Sequence, residues 1–202
     1  MMRNSFEEAL DELNQDILKM GSMVEETIHK SITSLAEQDT ELAKEVIKND
    51  DVLDDYEVEI EQKCLKLIAL QQPVAKDLRQ IDMISKIASD LERIGDLAQN
   101  LANITCEIAD EELIKPLIDI PRMGELVKAM IRDALDALVN LNVDKAREVA
   151  KRDDQVDSLD CQIFRELLTY MMEDPKIIKQ GNRLMFASRY LERVGDHASN
   201  IC

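Results

Sequence analysis

The sequence predicts an all-α protein built from two tandem antiparallel three-helix bundles. Apolar residues recur every three or four positions through most of the chain, which is the period of an amphipathic helix. Only 5 Gly and 4 Pro interrupt it, so the elements must be few and long. The pattern of the first half returns in the second, and 202 residues suit two units of about 100 residues each.

The first long helix is predicted by a single apolar stripe. Its members are Phe6, Leu10, Leu13, Ile17, Met20, Val24 and Ile28. The stripe fades at "EQDTE", where Asp39 or Thr40 can cap a short second helix. Together these features predict a long helix followed by a short one.

Two further long helices complete the first half. One begins at Asp50-Asp51 and ends at "QQPV", because Pro73 disfavours the helical conformation of the residue before it. The other carries apolar residues from Leu78 to Leu101. It is predicted to be about 30 residues long, or roughly 45 Å at 1.5 Å per residue.

A proline-containing segment, "DEELIKPLIDIP" at residues 110–121, separates the halves. It predicts a first domain at residues 1–112 and a second at 113–202.

The same order of elements is then expected again. A long helix carries Met123 to Leu138, and a short helix follows at "VDKAREVAKRD". A further helix starts at Asp153-Asp154 and ends near Pro175, and the last runs from about Ile178 to the end of the chain.

The repeat is strongest in two acidic motifs. "LERIGDLAQN" at residues 91–100 and "LERVGDHASN" at 191–200 agree at seven of ten positions. "IKNDDVLD" in the first half likewise matches "AKRDDQVD" in the second. Each motif places two acids at i and i+4, on one helix face. The resulting candidate metal ligands are Glu92, Asp96, Glu192, Asp196, Asp50, Asp54, Asp153 and Asp157, with the amides Asn100 and Asn200 one turn further on.

Antiparallel helices bring residues equidistant from their turn side by side, so the two acidic pairs of each half should face each other. Four converged carboxylates cannot all stay ionised without a counter-charge. They can protonate, pair with Lys or Arg, or bind a hard cation such as Mg²⁺, Mn²⁺, Ca²⁺ or iron. A solvated acidic face with arginine partners is the alternative. Gly95 and Gly195 precede the motif aspartates and indicate close approach of a neighbouring helix or ligand.

Composition excludes several classes of function. A net charge of -17 repels nucleic acid and favours cations or basic protein surfaces. No apolar run approaches the ~20 residues of a membrane span, the N-terminus has no signal-peptide pattern, and the four cysteines lack metal-site spacing. A cytoplasmic protein with free thiols is expected. No nucleotide-binding or hydrolase motif appears, and a lone Glu26-x-x-His29 lacks the second motif of di-iron oxidases.

His197 follows the second motif aspartate. It could be an additional ligand, but a surface histidine is the simpler interpretation.

The two motifs "DLERIGDLAQN" and "YLERVGDHASN", with "QQPVAKDLR" in the first half, resemble those of the PhoU family of phosphate-signalling proteins. The resemblance implies two three-helix bundles whose repeated Glu-x-x-x-Asp motifs bind metal, including multinuclear iron clusters, with Zn, Mn or Mg as other candidates. Carried over, the motif ligands are Glu92 and Asp96, then Glu192 and Asp196.

The same resemblance implies a non-enzymatic cytoplasmic adaptor that represses phosphate uptake when phosphate is plentiful. The expected partners are the ATPase subunit of the phosphate ABC transporter, a membrane sensor histidine kinase and a second copy in a homodimer, with no nucleic acid and no membrane insertion. The chain stops at Cys202, where the family usually continues the last helix, so that helix is expected to be cut short. A carboxylate-bridged metalloenzyme and a purely structural helical scaffold are the alternatives.

Overall fold

The computed structural model describes residues 2–202, with side chains from residue 6 onward, and this part of the chain contains helices and connections but no strand. The helices are α1 (Met2–Glu37), α2 (Thr40–Lys48), α3 (Asp51–Gln71), α4 (Lys76–Ile108), α5 (Asp119–Val139), α6 (Val143–Glu173) and α7 (Ile178–Ile201), with a 3-10 turn at Pro175–Ile177. None of these helices is both long and apolar enough to cross a membrane.

The first bundle consists of α1, α3 and α4, and the short α2 packs against α1 and α4. Asp39 caps α2, because its side chain accepts hydrogen bonds from the backbone N–H groups of Glu41 and Leu42. At the end of α3, Gln72 leaves the helical region with φ 46° and ψ 53°, immediately before Pro73. Both predicted helix boundaries are therefore confirmed.

The second bundle consists of α5, α6 and α7, and it differs from the prediction at one point. The expected short helix at "VDKAREVAKRD" and the helix from Asp153-Asp154 form one continuous helix, α6. In the first half α2 ends at Lys48, and Asn49 lies in the turn before α3. In the second half Arg152 occupies the position that matches Asn49. Arginine favours the helix more than asparagine, and Arg152 is also paired with Asp133 on α5.

The two bundles share one hydrophobic core. α1 packs against α5 and α4 packs against α7, so buried residues of both halves join a single cluster. This core is aliphatic and Met-containing, as the low aromatic content requires. The division at residues 112 and 113 stays a prediction, since it falls in the connection between α4 and α5.

That connection is held by one glutamine from each bundle. Gln180, only 3% exposed, accepts a hydrogen bond from the Ile114 N–H at 2.7 Å and donates to the Glu112 carbonyl at 2.9 Å. Gln38 donates to the Glu111 carbonyl at 2.7 Å. These bonds satisfy the backbone of a segment that has no helical partners of its own.

Gln180→Leu is expected to lower the free energy of unfolding by about 2 kcal/mol, because it leaves a donor and an acceptor of the connection without partners at similar side-chain volume. Urea denaturation followed by circular dichroism measures this. Gln162→Leu is the matched control, since Gln162 is exposed and makes only a 3.4 Å contact with Asp119. Equal stability of the two variants would contradict the assigned role of Gln180.

Candidate metal centre

The first acidic cluster lies between α3 and α4. These helices run antiparallel on either side of the turn at residues 72–75, and they bring Asp50, Asp54 and Asp96 together. One carboxylate oxygen from each lies within 4.8 Å of the others. Within the described part of the chain, no other three acidic, histidine or cysteine side chains converge in this way.

The two acidic pairs of this half face each other in antiparallel order. Asp50 lies beside Asp96 and accepts a hydrogen bond from Gln99 Nε2 at 2.6 Å. Glu92 interacts electrostatically with Asp54 and Asp96, and also with Glu57 one turn along α3. The cluster therefore contains five carboxylates, four of which were predicted from the sequence.

The electrostatics of the first cluster are unfavourable to full ionisation. Burial raises the pKa of Asp50 to about 6, with the charges of Asp96 and Asp54 adding to the effect. Burial also raises the pKa of Glu92 to about 7, reinforced by Asp96, Glu57 and Asp54. Among the residues the structure describes, no Lys or Arg forms an ion pair with any of these five carboxylates. The charge of Arg93 opposes the pKa shifts of Glu92 and Asp96, but Arg93 does not reach ion-pair distance of either carboxylate. This cluster is therefore without a paired cation among the described residues.

The second cluster repeats the acids between α6 and α7, in a different arrangement. Glu192 is buried, and one of its oxygens accepts a bond from Arg189 at 2.5 Å. Arg189 also lies 3.8 Å from Asp160, whose other oxygen accepts a 2.5 Å bond from the Ser188 hydroxyl. A cation of the protein therefore already contacts this cluster.

Two oxygens of the second cluster remain without hydrogen-bond partners among the described residues. They are Glu192 Oε2 and Asp153 Oδ1, and both are buried. Burial raises the pKa of both carboxyl groups. Arg189 opposes the pKa shift at Glu192. At Asp153 the charges of Asp196 and Asp157 add to the pKa shift, and the nearby Ser199 hydroxyl opposes it. Buried carboxylate oxygens without donors need a proton or a cation.

The motif glycines allow the helices to approach closely at both clusters. A Cβ atom on Gly95 would lie 2.6 Å from Leu53 Cδ1. A Cβ atom on Gly195 would lie 2.9 Å from Asp153 Oδ1, so a larger residue would displace a carboxylate of the cluster. The expected close approach of a neighbouring helix is thus present in both halves.

The remaining predicted residues lie at the edges of the clusters. Asn100 and Asn200 are exposed, and Gln99 is the amide that contacts Asp50. The interpretation of His197 as a surface residue is wrong. Its side chain is 14% exposed, and its Nδ1 atom lies 2.8 Å from Asp90 on α4, where it links the two bundles.

Four contributors were missed by sequence reasoning: Glu57, Asp160, Gln99 and Arg189. A signal for the first two exists, because Glu57 and Asp160 are separated by the same 103 positions that relate Asp50 to Asp153. Neither Gln99 nor Arg189 recurs in the other half, where Ser199 and Ser89 stand instead. Comparing the halves for identity could not reveal them.

The donor set suits a hard cation. Three carboxylate oxygens within 4.8 Å, with Glu92 and Glu57 beside them, match the all-oxygen coordination that Mg²⁺, Mn²⁺ and Ca²⁺ prefer and that iron accepts. Bound metal would supply the positive charge that the protein itself does not pair with Asp50, Asp54 and Asp96.

The raised pKa values of Asp50 and Glu92 predict a pH dependence of stability for the chelator-treated protein. Between about pH 4 and 7 the folded state binds more protons than the unfolded chain, so the free energy of unfolding should fall as pH rises through this window. After allowing for solvent screening, the two groups contribute about 1–2 kcal/mol. Urea denaturation at pH 5 and pH 8 measures the difference. Glu92→Gln should flatten the profile and the exposed Glu61→Gln should not; identical slopes would refute the assignment.

Comparison with known proteins agrees with this architecture. The family model described as "PhoU domain" matches residues 17–105 and again 120–202. The chain belongs to the PhoU family. Each match covers one bundle and therefore one acidic cluster, so the duplication seen in the sequence is a duplication of the PhoU domain.

Relatives and solved structures of the PhoU family extend over nearly the whole chain. A homologue from Clostridium acetobutylicum, named phosphate-specific transport system accessory protein PhoU homolog, is 47% identical over 100% of this chain and 93% of its own length. The PhoU protein of Escherichia coli K12 is 36% identical over 98% of this chain and 82% of its own length. The crystal structure of PhoU from Pseudomonas aeruginosa superposes with a TM-score of 0.92 at 38% identity, covering 97% of this chain and 94% of that one.

Proposed function

We propose that this chain is a metal-binding regulator of inorganic phosphate uptake and of phosphate-responsive signalling. The observation that carries the metal-binding part is the convergence of Asp50, Asp54 and Asp96 without any paired cation of the protein. The phosphate part is supported by relatives named as accessory proteins of a phosphate-specific transport system.

In this proposal the metal acts as a link between helices. Asp50 and Asp54 would hold it from α3, and Asp96 with Glu92 from α4. An ion, or an iron cluster, at this position neutralises several carboxylates at once and so ties the two helices together. Manganese, zinc and magnesium are the other candidate metals. The role is structural and regulatory, and no catalytic residue is proposed.

As a regulator, the protein would act in the cytoplasm as an adaptor between the transporter's ATPase subunit and a membrane sensor kinase, in the form of a homodimer. It would repress phosphate uptake when phosphate is plentiful. A net charge of -17 supports docking on basic protein surfaces, since opposite charges steer association.

Affinity capture from cells grown at high and low phosphate tests the adaptor role. We expect the tagged chain to recover the transporter ATPase and the sensor kinase, with recovery dependent on phosphate. The Asp54→Asn, Asp96→Asn double variant should lose this dependence, whereas the exposed-site control Glu61→Gln, Asp77→Asn should keep it. Recovery of neither partner at either phosphate level would refute the adaptor role.

A further inference from the structure

The two acidic clusters differ at one position that faces the motif glutamate. Three residues before the glutamate, the first half has Ser89 and the second has Arg189. Arg189 contacts Glu192 at 2.5 Å and Asp160 at 3.8 Å. The five acids of the first cluster have no ion pair of this kind in the described structure.

Arg189 changes both the charge and the geometry of its cluster. A guanidinium competes with a metal ion for the same carboxylate oxygens, because both neutralise negative charge at short range. Arg189 donates a hydrogen bond to Glu192, and the neighbouring Ser188 donates one to Asp160 on α6. Both carboxylates are therefore held by side chains of α7. The two halves also differ in convergence. Three carboxylate oxygens lie within 4.8 Å of one another at Asp50, Asp54 and Asp96, and the corresponding acids of the second half do not converge in this way among the residues described.

The second cluster nevertheless retains capacity for a cation. Glu192 is 8% exposed and its Oε2 atom has no hydrogen-bond partner in the described part of the chain; the same holds for Asp153 Oδ1. The Arg189 side chain is 58% exposed, so it can swing into solvent without disturbing the core. A cation that is to bind both oxygens of Glu192, or Asp160, must displace the guanidinium first.

We propose that the duplicated clusters are unequal: the first is the high-affinity cation site, and Arg189 holds the second as a low-affinity site by occupying Glu192 and Asp160. This inference rests on the proposed metal-binding function. It makes Arg189 the residue that sets how many cations the chain holds at a given metal concentration.

Equilibrium dialysis of chelator-stripped protein against Mn²⁺, with free Mn²⁺ measured by electron paramagnetic resonance, tests the inequality. Wild-type protein should bind Mn²⁺ at two classes of site that differ in affinity. The Asp54→Asn, Asp96→Asn double variant should remove the tight class, and the Asp157→Asn, Asp196→Asn double variant should remove the weaker class. Arg189→Ser, which copies the first half, should tighten the weaker class by about tenfold or more, since a fixed positive charge beside the ion is lost. Arg193→Ser removes the same charge from an exposed neighbour and should leave both classes unchanged.

A reciprocal substitution in the first half keeps the test valid if Arg189→Ser folds poorly. Ser89→Arg places a guanidinium at the equivalent sequence position and should weaken the tight class by about tenfold. Two classes of equal affinity in the wild type, or Arg189→Ser indistinguishable from Arg193→Ser, would overturn the inequality and leave metal binding intact. Absence of Mn²⁺ binding in the wild type and in Arg189→Ser would overturn both proposals.

Discussion

Replacing Asp54 and Asp96 together by asparagine is expected to weaken Mn²⁺ binding at the first cluster by about 100-fold or more. Each substitution keeps the size of the side chain and removes a negative charge from a cation that α3 and α4 would share. A 100-fold loss is about 2.7 kcal/mol of binding free energy, roughly half from each carboxylate. Isothermal titration of chelator-stripped protein with Mn²⁺ measures it.

The same double variant should move the stability of the metal-free protein in the opposite direction. Asp50, Asp54 and Asp96 repel one another when no cation is bound, and burial raises the pKa of Asp96, with the charge of Asp54 adding to the shift. Removing two of the three charges should therefore raise the free energy of unfolding by about 1 kcal/mol at pH 8.

The double variant should weaken Mn²⁺ binding and raise the stability of the metal-free protein. This combination distinguishes a metal site from an acidic surface that binds no metal. Asp54 and Asp96 are exposed, and the control Glu61→Gln, Asp77→Asn removes two charges from positions on the same helices that are also exposed and lie outside the cluster. The control should change neither quantity appreciably. If the site variant and the control bind Mn²⁺ equally well, the cluster formed by Asp50, Asp54 and Asp96 is not a cation site.

The helices and their caps were predictable because they depend on local sequence. The spacing of Leu13, Ile17 and Met20 can bury one face only on a helix, and all three are at most 2% exposed. Asp39 and Pro73 act within a few residues of their own position, so their effects are visible without a fold. The antiparallel placement of the acids also followed, because a short turn fixes which residues of α3 and α4 are neighbours.

The features that could not be predicted from the sequence depend on contacts between side chains of different helices. The continuity of α6 depends partly on Arg152, which finds Asp133 on α5. The inequality of the two clusters depends on the ion pair between Arg189 and Glu192. In the sequence alone, Arg189 cannot be distinguished from an arginine that faces solvent. The contact of His197 could not be predicted for the same reason, since its partner Asp90 is 107 residues away in the sequence.

Leu91→Ala is expected to have the largest effect on stability, about 3 kcal/mol. Leu91 is 0% exposed and lies on α4, which packs against helices of both bundles. Truncating such a residue removes buried methyl groups and leaves a cavity that rigid neighbouring helices fill only partly. For a chain of this length the expected fall in melting temperature is about 6–12 °C. Leu70→Ala is the control, because Leu70 is 69% exposed and should change stability by less than about 0.5 kcal/mol.

The same variant connects the core to the cation site. Leu91→Ala removes no carboxylate, so Mn²⁺ should still bind the native state and stabilise it, by about 2.7 kcal/mol at 100 times the dissociation constant. Thermal melts of Leu91→Ala with and without Mn²⁺ should therefore show recovery of most of the lost stability. In the background of Asp54→Asn and Asp96→Asn that recovery should largely disappear. Equal recovery in both backgrounds would mean that the stabilising ion binds somewhere other than between α3 and α4.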